Sequence, residues 1–219
     1  MNIIMLGAPA TGKGTVASIL EERVGITHIS TGDIFRKNIK DQTEIGKEAE
    51  KYISQGKLVP DEVTIKIVEE RLKEDDVQNG VILDGFPRTV AQAEALDKFL
   101  TENGKQVDKV VVLNTPEDEI IQRVVNRRVC PQCKAVFNLV LNPPKEEGIC
   151  DKCGAKLIQR EDDNTDTIKQ RLSNYYELTS PLVEFYKKQG KVEEQLVSER
   201  ANRLGKDVAE DLIAEMKNN

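Results

Sequence analysis

Nine residues near the amino terminus, Gly7-Ala-Pro-Ala-Thr-Gly12-Lys13-Gly14-Thr15, place a glycine at each end of a short loop and a lysine directly after the second. An apolar run, Asn2-Ile-Ile-Met-Leu6, precedes the loop, and a helical pattern through Val16, Ile19 and Leu20 follows it. In that context backbone N–H groups and a helix N-terminus can surround a polyphosphate while the lysine supplies a point charge. The stretch reads as a phosphate-binding P-loop whose hydroxyl arrives one position late, at Thr15, because Gly14 follows the lysine. Ala10 is irregular: if its position needs positive φ, alanine costs on the order of 1 kcal/mol there.

A second constellation is Cys130-x-x-Cys133 and Cys150-x-x-Cys153, separated by sixteen residues. Two such knuckles fit four thiolates arranged tetrahedrally around one zinc, with no position left open for Lewis-acid chemistry. The metal is therefore expected to be structural, holding a piece too small for a core of its own. From Arg127 to Asp163 there are seven Lys/Arg and six Asp/Glu, which is no basic patch for nucleic acid.

Arg36, Arg88, Arg123, Arg127, Arg160 and Arg171 each fall near a hinge or loop, and as a group they suggest clamps on phosphate oxygens. Phosphoryl transfer needs charge neutralisation and alignment more than covalent chemistry, so Arg, Lys and Mg²⁺ are its expected tools. Asp84 is placed like a carboxylate that holds Mg²⁺, directly or through water. Solvated or capping roles read equally well for Asp33, Asp162 and Asp163. His28, the single histidine, reads as a hydrogen-bonded packing residue.

These residues need a frame. Short apolar runs at Asn2–Leu6, Ile26–Ser30, Gly80–Asp84 and Lys109–Asn114 alternate with helical patterns, which predicts an α/β fold with a parallel sheet. The P-loop, Thr31 to Asp33, and Asp84 to Arg88 then share the carboxyl edge of that sheet, where ligands of such folds sit. Asp61 is expected to cap the helix through Val63, Ile67, Val68 and Leu72, and Pro116 to open the helix after the third clear strand. Residues 136–141 alternate like a strand inside the cysteine insert. Thr165 to Lys188 reads as one long helix, kinked or divided at Pro181, followed by a weak strand over 191–197 and a last helix from Gly205.

The totals narrow the function classes. With 219 residues, 38% hydrophobic and 32% charged, the chain is expected to be a soluble globular protein. It has no Trp and 4% aromatics, which disfavours base-stacking surfaces. The net charge of −6 disfavours nucleic acid and membrane as partners. No signal-peptide pattern and no membrane-length apolar run stand out, so a cytoplasmic location with reduced thiols is expected.

Taken together, Gly12-Lys-Gly-Thr15, His28-Ile-Ser-Thr-Gly-Asp33, Arg36, Leu58-Val-Pro-Asp61, Asp84-Gly-Phe-Pro-Arg-Thr89 with Gln92, Asn142-Pro-Pro-Lys145, Arg160-x-Asp-Asp-Asn164 and Arg171 closely resemble the adenylate kinase family, in its long bacterial form with a zinc-binding lid. The resemblance runs over nearly the whole chain. It implies a P-loop nucleoside monophosphate kinase fold: a parallel five-stranded sheet flanked by helices, a helical AMP-binding insert and a small zinc-binding β lid. The expected division is a core of residues 1–29, 60–125 and 164–219, an AMP-binding domain of 30–59 and a lid of 126–163. The implied reaction is reversible phosphoryl transfer from MgATP to AMP giving two ADP, by a monomer serving adenylate energy homeostasis and nucleotide metabolism.

By the same resemblance Ala10, Thr11, Gly12, Lys13, Gly14, Thr15, Arg123, Arg127, Val136 and Phe137 would hold ATP, with Arg123 against the base. A backbone carbonyl near Glu199 would read the adenine, although the tail lacks the glycine often seen there. Thr31, Arg36, Lys57, Leu58, Val59, Gly85, Phe86, Pro87, Arg88 and Gln92 would hold AMP, with Thr31 and Gln92 on its base. Arg160 and Arg171 would bridge the phosphates. Lys13, Arg88, Arg127, Arg160 and Arg171 would be catalytic, Cys130, Cys133, Cys150 and Cys153 the zinc ligands, and Asp84 the magnesium carboxylate, through water. A kinase of the same fold acting on another monophosphate, and a non-catalytic nucleotide-binding protein, are the competing readings.

Overall fold

A computed structural model describes residues 1–218. The chain runs β1 (Asn2–Gly7), α1 (Lys13–Val24), β2 (Thr27–Ser30), α2 (Thr31–Lys40), α3 (Glu44–Ile53), α4 (Asp61–Arg71), β3 (Val81–Asp84), α5 (Val90–Glu102), β4 (Lys109–Asn114) and α6 (Glu117–Val125). It continues through β5 (Arg127–Val129), β6 (Val136–Asn138), α7 (Thr165–Asn174), α8 (Pro181–Lys187), β7 (Val192–Leu196) and α9 (Gly205–Asn218). Five strands form a sheet in the order β2-β3-β1-β4-β7, with every pairing parallel. β1 is central, and the chain builds outward to β3 and β2 on one side and to β4 and β7 on the other. That reversal opens a crevice at the carboxyl end of β1.

Strand alternation explains why the short apolar runs fold into this sheet. Ile4 and Leu6 of β1, Val81 and Leu83 of β3, and Val110 and Val112 of β4 enter one core with helix residues such as Val68, Leu96 and Leu182. Ile3 and Met5, Ile82, and Val111 and Leu113 enter the other, with Val16 and Leu20 of α1 and Val208 and Leu212 of α9. A strand buried on both faces has no polar side, hence its continuous apolar sequence.

Three local expectations need correcting, and the expected division of the helix near Pro181 is present with an added π-helical turn. Asp61 does not cap α4: Pro60 holds the N-cap position, and the Asp61 carboxylate accepts hydrogen bonds from Thr89 Oγ1 at 2.8 Å and Gln92 Nε2 at 2.7 Å. Pro116 precedes α6 as its N-cap instead of opening it. The strand expected over 136–141 stops at Asn138, whose Oδ1 accepts the Val140 and Leu141 N–H groups and turns the chain. The long helix after Thr165 is interrupted by a π-helical turn, Tyr175–Thr179, before Pro181 opens α8. Pro181 has no N–H to continue an α-ladder, and Ser180 N instead reaches back to Tyr175 O at 2.8 Å.

The cysteine-bearing segment is a small antiparallel unit. β5 pairs with β6, and isolated bridges join Val129 to Ile158 and Ile149 to Lys156. Its core consists of Cys130, Phe137, Cys150 and Leu157, with Ala135 and Ala155 against them.

Candidate functional site

The P-loop lies where β1 ends. At Gly7, with φ 141°, an added Cβ would sit 2.5 Å from Leu113 O, so only glycine fits beside β4. Gly12 caps α1 at φ 101° without a side-chain hydrogen bond, and no acidic residue occupies the first turn of α1. Ser30, Thr43, Thr89 and Asn164 cap α2, α3, α5 and α7, while α4 and α6 carry carboxylates in their first turns. Of α1 to α7, α1 alone has neither a side-chain cap nor an acidic residue in its own first turn, which leaves its first amides for a phosphate.

Ala10 has φ 60°, so the expected left-handed strain is present. The structure also supplies what the sequence did not, because Ala10 packs against the small core of Ala8, Ile120, Val124, Ile168 and Leu172. The methyl that strains the loop also ties it to α6 and α7.

Lys13 Nζ donates to Gly7 O at 2.8 Å and Ala8 O at 2.7 Å. Burial lowers its ammonium to about 8; Asp84 opposes that shift, and Arg88, Arg171 and Arg127 add to it. Asp84 closes β3, beside Ser30 of β2 and Met5 of β1. A Cβ on Gly14 would stand 3.4 Å from Asp84 Oδ2, so the start of α1 and this carboxylate lie nearly in contact. Burial works against ionisation of Asp84, but His28, Lys13 and Arg88 hold its carboxyl below the ordinary range. His28 departs from the expected hydrogen-bonded packing role: its buried Nε2 lies 3.6 Å from Asp84 Oδ2 and has no hydrogen-bond partner among the described residues.

Arg36, Arg88, Arg127, Arg160 and Arg171 converge on the same crevice. Arg36 Nη2 donates to Asp33 Oδ1 at 2.7 Å, and Arg160 reaches that oxygen at 4.0 Å. Arg171 Nη1 donates to Asp162 at 2.9 Å, Arg127 forks onto Asp163, and Arg88 Nε donates to Gly85 O at 2.8 Å. Asp162 and Asp163 are thus largely buried counter-charges to the arginines, whereas Asp33 pairs with Arg36 while its side chain stays 41% exposed. Burial alone would raise Asp33 and Asp162, but Arg36 beside the first and Arg171 beside the second hold both down. Burial and neighbouring guanidinium groups bring Arg160 and Arg171 down to about 10. Cations crowded this closely gain most from an anion placed among them.

Beside these arginines a cavity runs between α2, α3 and the β3 end. Of the residues expected to hold AMP, Thr31, Arg36, Lys57, Leu58, Val59, Gly85, Arg88, Gln92 and Arg171 line it, joined by Phe35, Ile53, Gly56, Thr64 and Asp162. Phe86 is buried, and the Phe86–Pro87 peptide is cis. Thr31 Oγ1 donates to Gly85 O at 2.9 Å, and Gln92 Oε1 accepts the Arg88 N–H at 2.7 Å. With its amide nitrogen on Asp61, Gln92 is oriented with one N–H and one lone pair to spare.

The four cysteine sulfurs all lie within 4.8 Å of one another. Cys130 and Cys153 approach to 3.4 Å, and Cys133 and Cys150 to 3.5 Å. Tetrahedral zinc–thiolate bonds of about 2.3 Å separate sulfurs by about 3.8 Å, so the cluster fits that ion. Both knuckles turn alike: Lys134 and Gly154, each following a second cysteine, have φ 63° and 73° and return their N–H groups to Cys130 O and Cys150 O.

A family model described as adenylate kinase matches residues 5–191. The chain belongs to the adenylate kinase family. It is 55% identical over 190 residues to the adenylate kinase of Caldicellulosiruptor saccharolyticus, covering 87% of this chain and 88% of that one. It is 52% identical over 204 residues to that of Clostridium botulinum, covering 93% and 94%. Adenylate kinase activity, the reversible transfer of phosphate from ATP to AMP to give two ADP, follows from this membership. The parallel sheet is that of the expected kinase fold, and the four cysteines fit the family's long, zinc-binding form.

Two expected ATP residues sit unevenly on this adenylate kinase. Val136 is exposed, whereas the Phe137 side chain is buried in the cysteine unit's core, leaving only its backbone for a ligand. Arg123 lies beside the P-loop rather than among the other arginines, with Nη1 3.5 Å from Ala10 O. The Glu199 carbonyl accepts Asn202 N at 2.9 Å, which leaves it one lone pair. Of the pairs that the sequence left unread, Asp61 with Gln92 joins residues 31 positions apart, and Arg127 with Asp163 joins residues 36 apart. No local pattern signals such partners.

Proposed function

We propose that the crevice is a two-nucleotide site, with ATP phosphates on the P-loop, AMP in the cavity beside α2 and α3, and the transferring phosphoryl group between them. The observation that carries this reading is the convergence of Lys13, Arg88, Arg127, Arg160 and Arg171 between the uncapped start of α1 and that cavity. In-line transfer then needs no protein nucleophile and no general base. Lys13 follows the charge on the donor phosphates. Arg88 and Arg36 hold the acceptor phosphate, and Arg160 and Arg171 bridge the two. Incoming phosphate oxygens compete with Asp33, Asp162 and Asp163 for the same N–H groups, so nucleotide binding exchanges one set of ion pairs for another.

Mg²⁺ enters with ATP, and Asp84, a buried hard-oxygen donor beside Gly14, would hold it through water; the ion neutralises charge on the phosphates. Residues 1–29, 60–125 and 164–219 act as the core, 30–59 as the AMP-binding domain and 126–163 as the lid, whose closure excludes water from the phosphates. Zn²⁺ on Cys130, Cys133, Cys150 and Cys153 is structural. The enzyme works as a cytoplasmic monomer in adenylate energy homeostasis. A coupled assay that offers AMP, GMP, CMP and UMP with MgATP tests the acceptor site: ADP formation dependent on AMP is expected, and a preference for another monophosphate would overturn the assignment.

A further inference from the structure

Arg123 is bound differently from every other arginine of the site. Its Nε donates to Glu199 Oε1 at 2.6 Å. Nη1 points to Thr115 Oγ1 at 3.3 Å and Ala10 O at 3.5 Å, and Nη2 to Val197 O at 3.3 Å, with Glu119 Oε2 3.6 Å away. All three nitrogens are thus engaged in the plane of the guanidinium. Arg88, by contrast, uses Nε alone among the described residues, and Arg160 has only its 4.0 Å approach to Asp33. A guanidinium with free edges suits a phosphate, which it grips by forked N–H donation. One whose edges are occupied can offer a ligand only its flat face, and that face stacks on aromatic rings.

The turn that supplies Glu199 is built to hold it there. Ser198 and Arg203 exchange backbone hydrogen bonds at 2.8 and 3.0 Å, and Asn202 closes the turn at φ 47°. Glu119, one helical turn before Arg123 on α6, accepts Ser198 Oγ at 2.7 Å and Glu199 N at 2.9 Å. The same face of α6 therefore carries both the anchor of the turn and the arginine that the turn restrains.

We propose that Glu199 is a positioning residue for the donor base: its carboxylate locks the edge of the Arg123 guanidinium, a side chain only 9% exposed, so that what remains accessible to the purine of ATP is the guanidinium face. The inference rests on the reading that Arg123 lies against the ATP base. Stacking reads ring area rather than hydrogen-bonding edges, so the Arg123 contact favours purine over pyrimidine triphosphates.

The test is steady-state kinetics of Glu199→Ala and Glu199→Gln, with Arg123→Ala alongside and melting temperatures for all three. Glu199→Ala is expected to raise KM for ATP about tenfold, and Glu199→Gln about threefold, the scale of a lost or weakened charge-assisted hydrogen bond. The kcat and the KM for AMP should stay within about twofold, and the preference for ATP over CTP as donor should shrink. In Arg123→Ala, adding Glu199→Ala should raise KM for ATP no further. An unchanged KM for ATP in both Glu199 variants, or a rise shared equally by AMP together with a lower melting temperature, would overturn the proposal. If Arg123→Ala itself leaves KM for ATP unmoved, the base-stacking reading fails first. If it raises KM and the Glu199 variants do not, only the role of Glu199 fails.

Discussion

The sheet and the cysteine unit solve the same problem by different means. Around β1 two cores, one on each face, bury aliphatic residues from several strands and helices, and this packing alone can hold the P-loop rigid. The cysteine unit buries Cys130, Phe137, Cys150 and Leu157, two of which are thiols, and its β5–β6 ladder spans three residue pairs. So small a core cannot offset the entropy of ordering the segment, and four convergent sulfurs have to supply the difference. Rigidity from burial suits the part that aligns phosphates. Four sulfurs able to hold a metal suit a part that is proposed to close as one body.

The comparison breaks most visibly at Lys13. Lys13→Ala should lower kcat by about three orders of magnitude or more while leaving the melting temperature within a few degrees, because the cores on either side of β1 do not depend on it. Turnover near that of the unmodified enzyme would sink the assignment.

Next in size is the cysteine unit. Cys150→Ser should lower the melting temperature by roughly 10 °C while sparing turnover at low temperature, as expected if metal acts on folding alone. Calorimetry with a parallel assay decides this, and lost turnover with unchanged melting would show the opposite.

A smaller effect follows from the buried ammonium. Because the folded pKa of Lys13 lies at about 8, below its ordinary 10.5, the cost of burying its charge is fully present below pH 8 and is relieved as pH rises toward 10.5. ATP phosphates favour the charged form, so ATP affinity should weaken about fivefold between pH 8 and pH 9, with proton uptake on binding. Titration calorimetry at pH 8.5 in two buffers of different ionisation enthalpy measures that uptake, and none would place the Lys13 pKa elsewhere.

The finest test concerns Ala10. Ala10→Gly relieves about 1 kcal/mol of left-handed strain but removes a packed methyl worth about 0.8 kcal/mol. Unfolding free energies from denaturant titration should therefore agree to within about 0.5 kcal/mol. A gain of a full 1 kcal/mol would mean that the methyl contributes nothing.

Much of this molecule was legible in its chain because its signals are local. The P-loop is contiguous, each cysteine knuckle spans four residues, and the continuous apolar run up to Leu6 announced a strand. Capping by Asp61 failed as an expectation because a carboxylate at a helix start is equally suited to a distant amide. The tertiary contact with Thr89 and Gln92 took it. The division near Pro181 was foreseen, but not the π-helical turn before it, whose hydrogen bond from Ser180 to Tyr175 depends on how α7 and α8 pack.

By itself the sequence determined which residues are chemically able to hold phosphate and zinc, and the order in which the strands carry them to one edge. Backbone conformation and hydrophobic alternation act over a few residues, so they can be read from a few residues. Only the tertiary structure decided how each charge is held. Asp33, Asp162 and Asp163 became partners for arginines, Ala10 gained a packing role that offsets its strain, and Glu199 met Arg123 across 76 positions of chain. The energy of an ion pair depends on its distance and on the water excluded around it, and both exist only once the chain has folded.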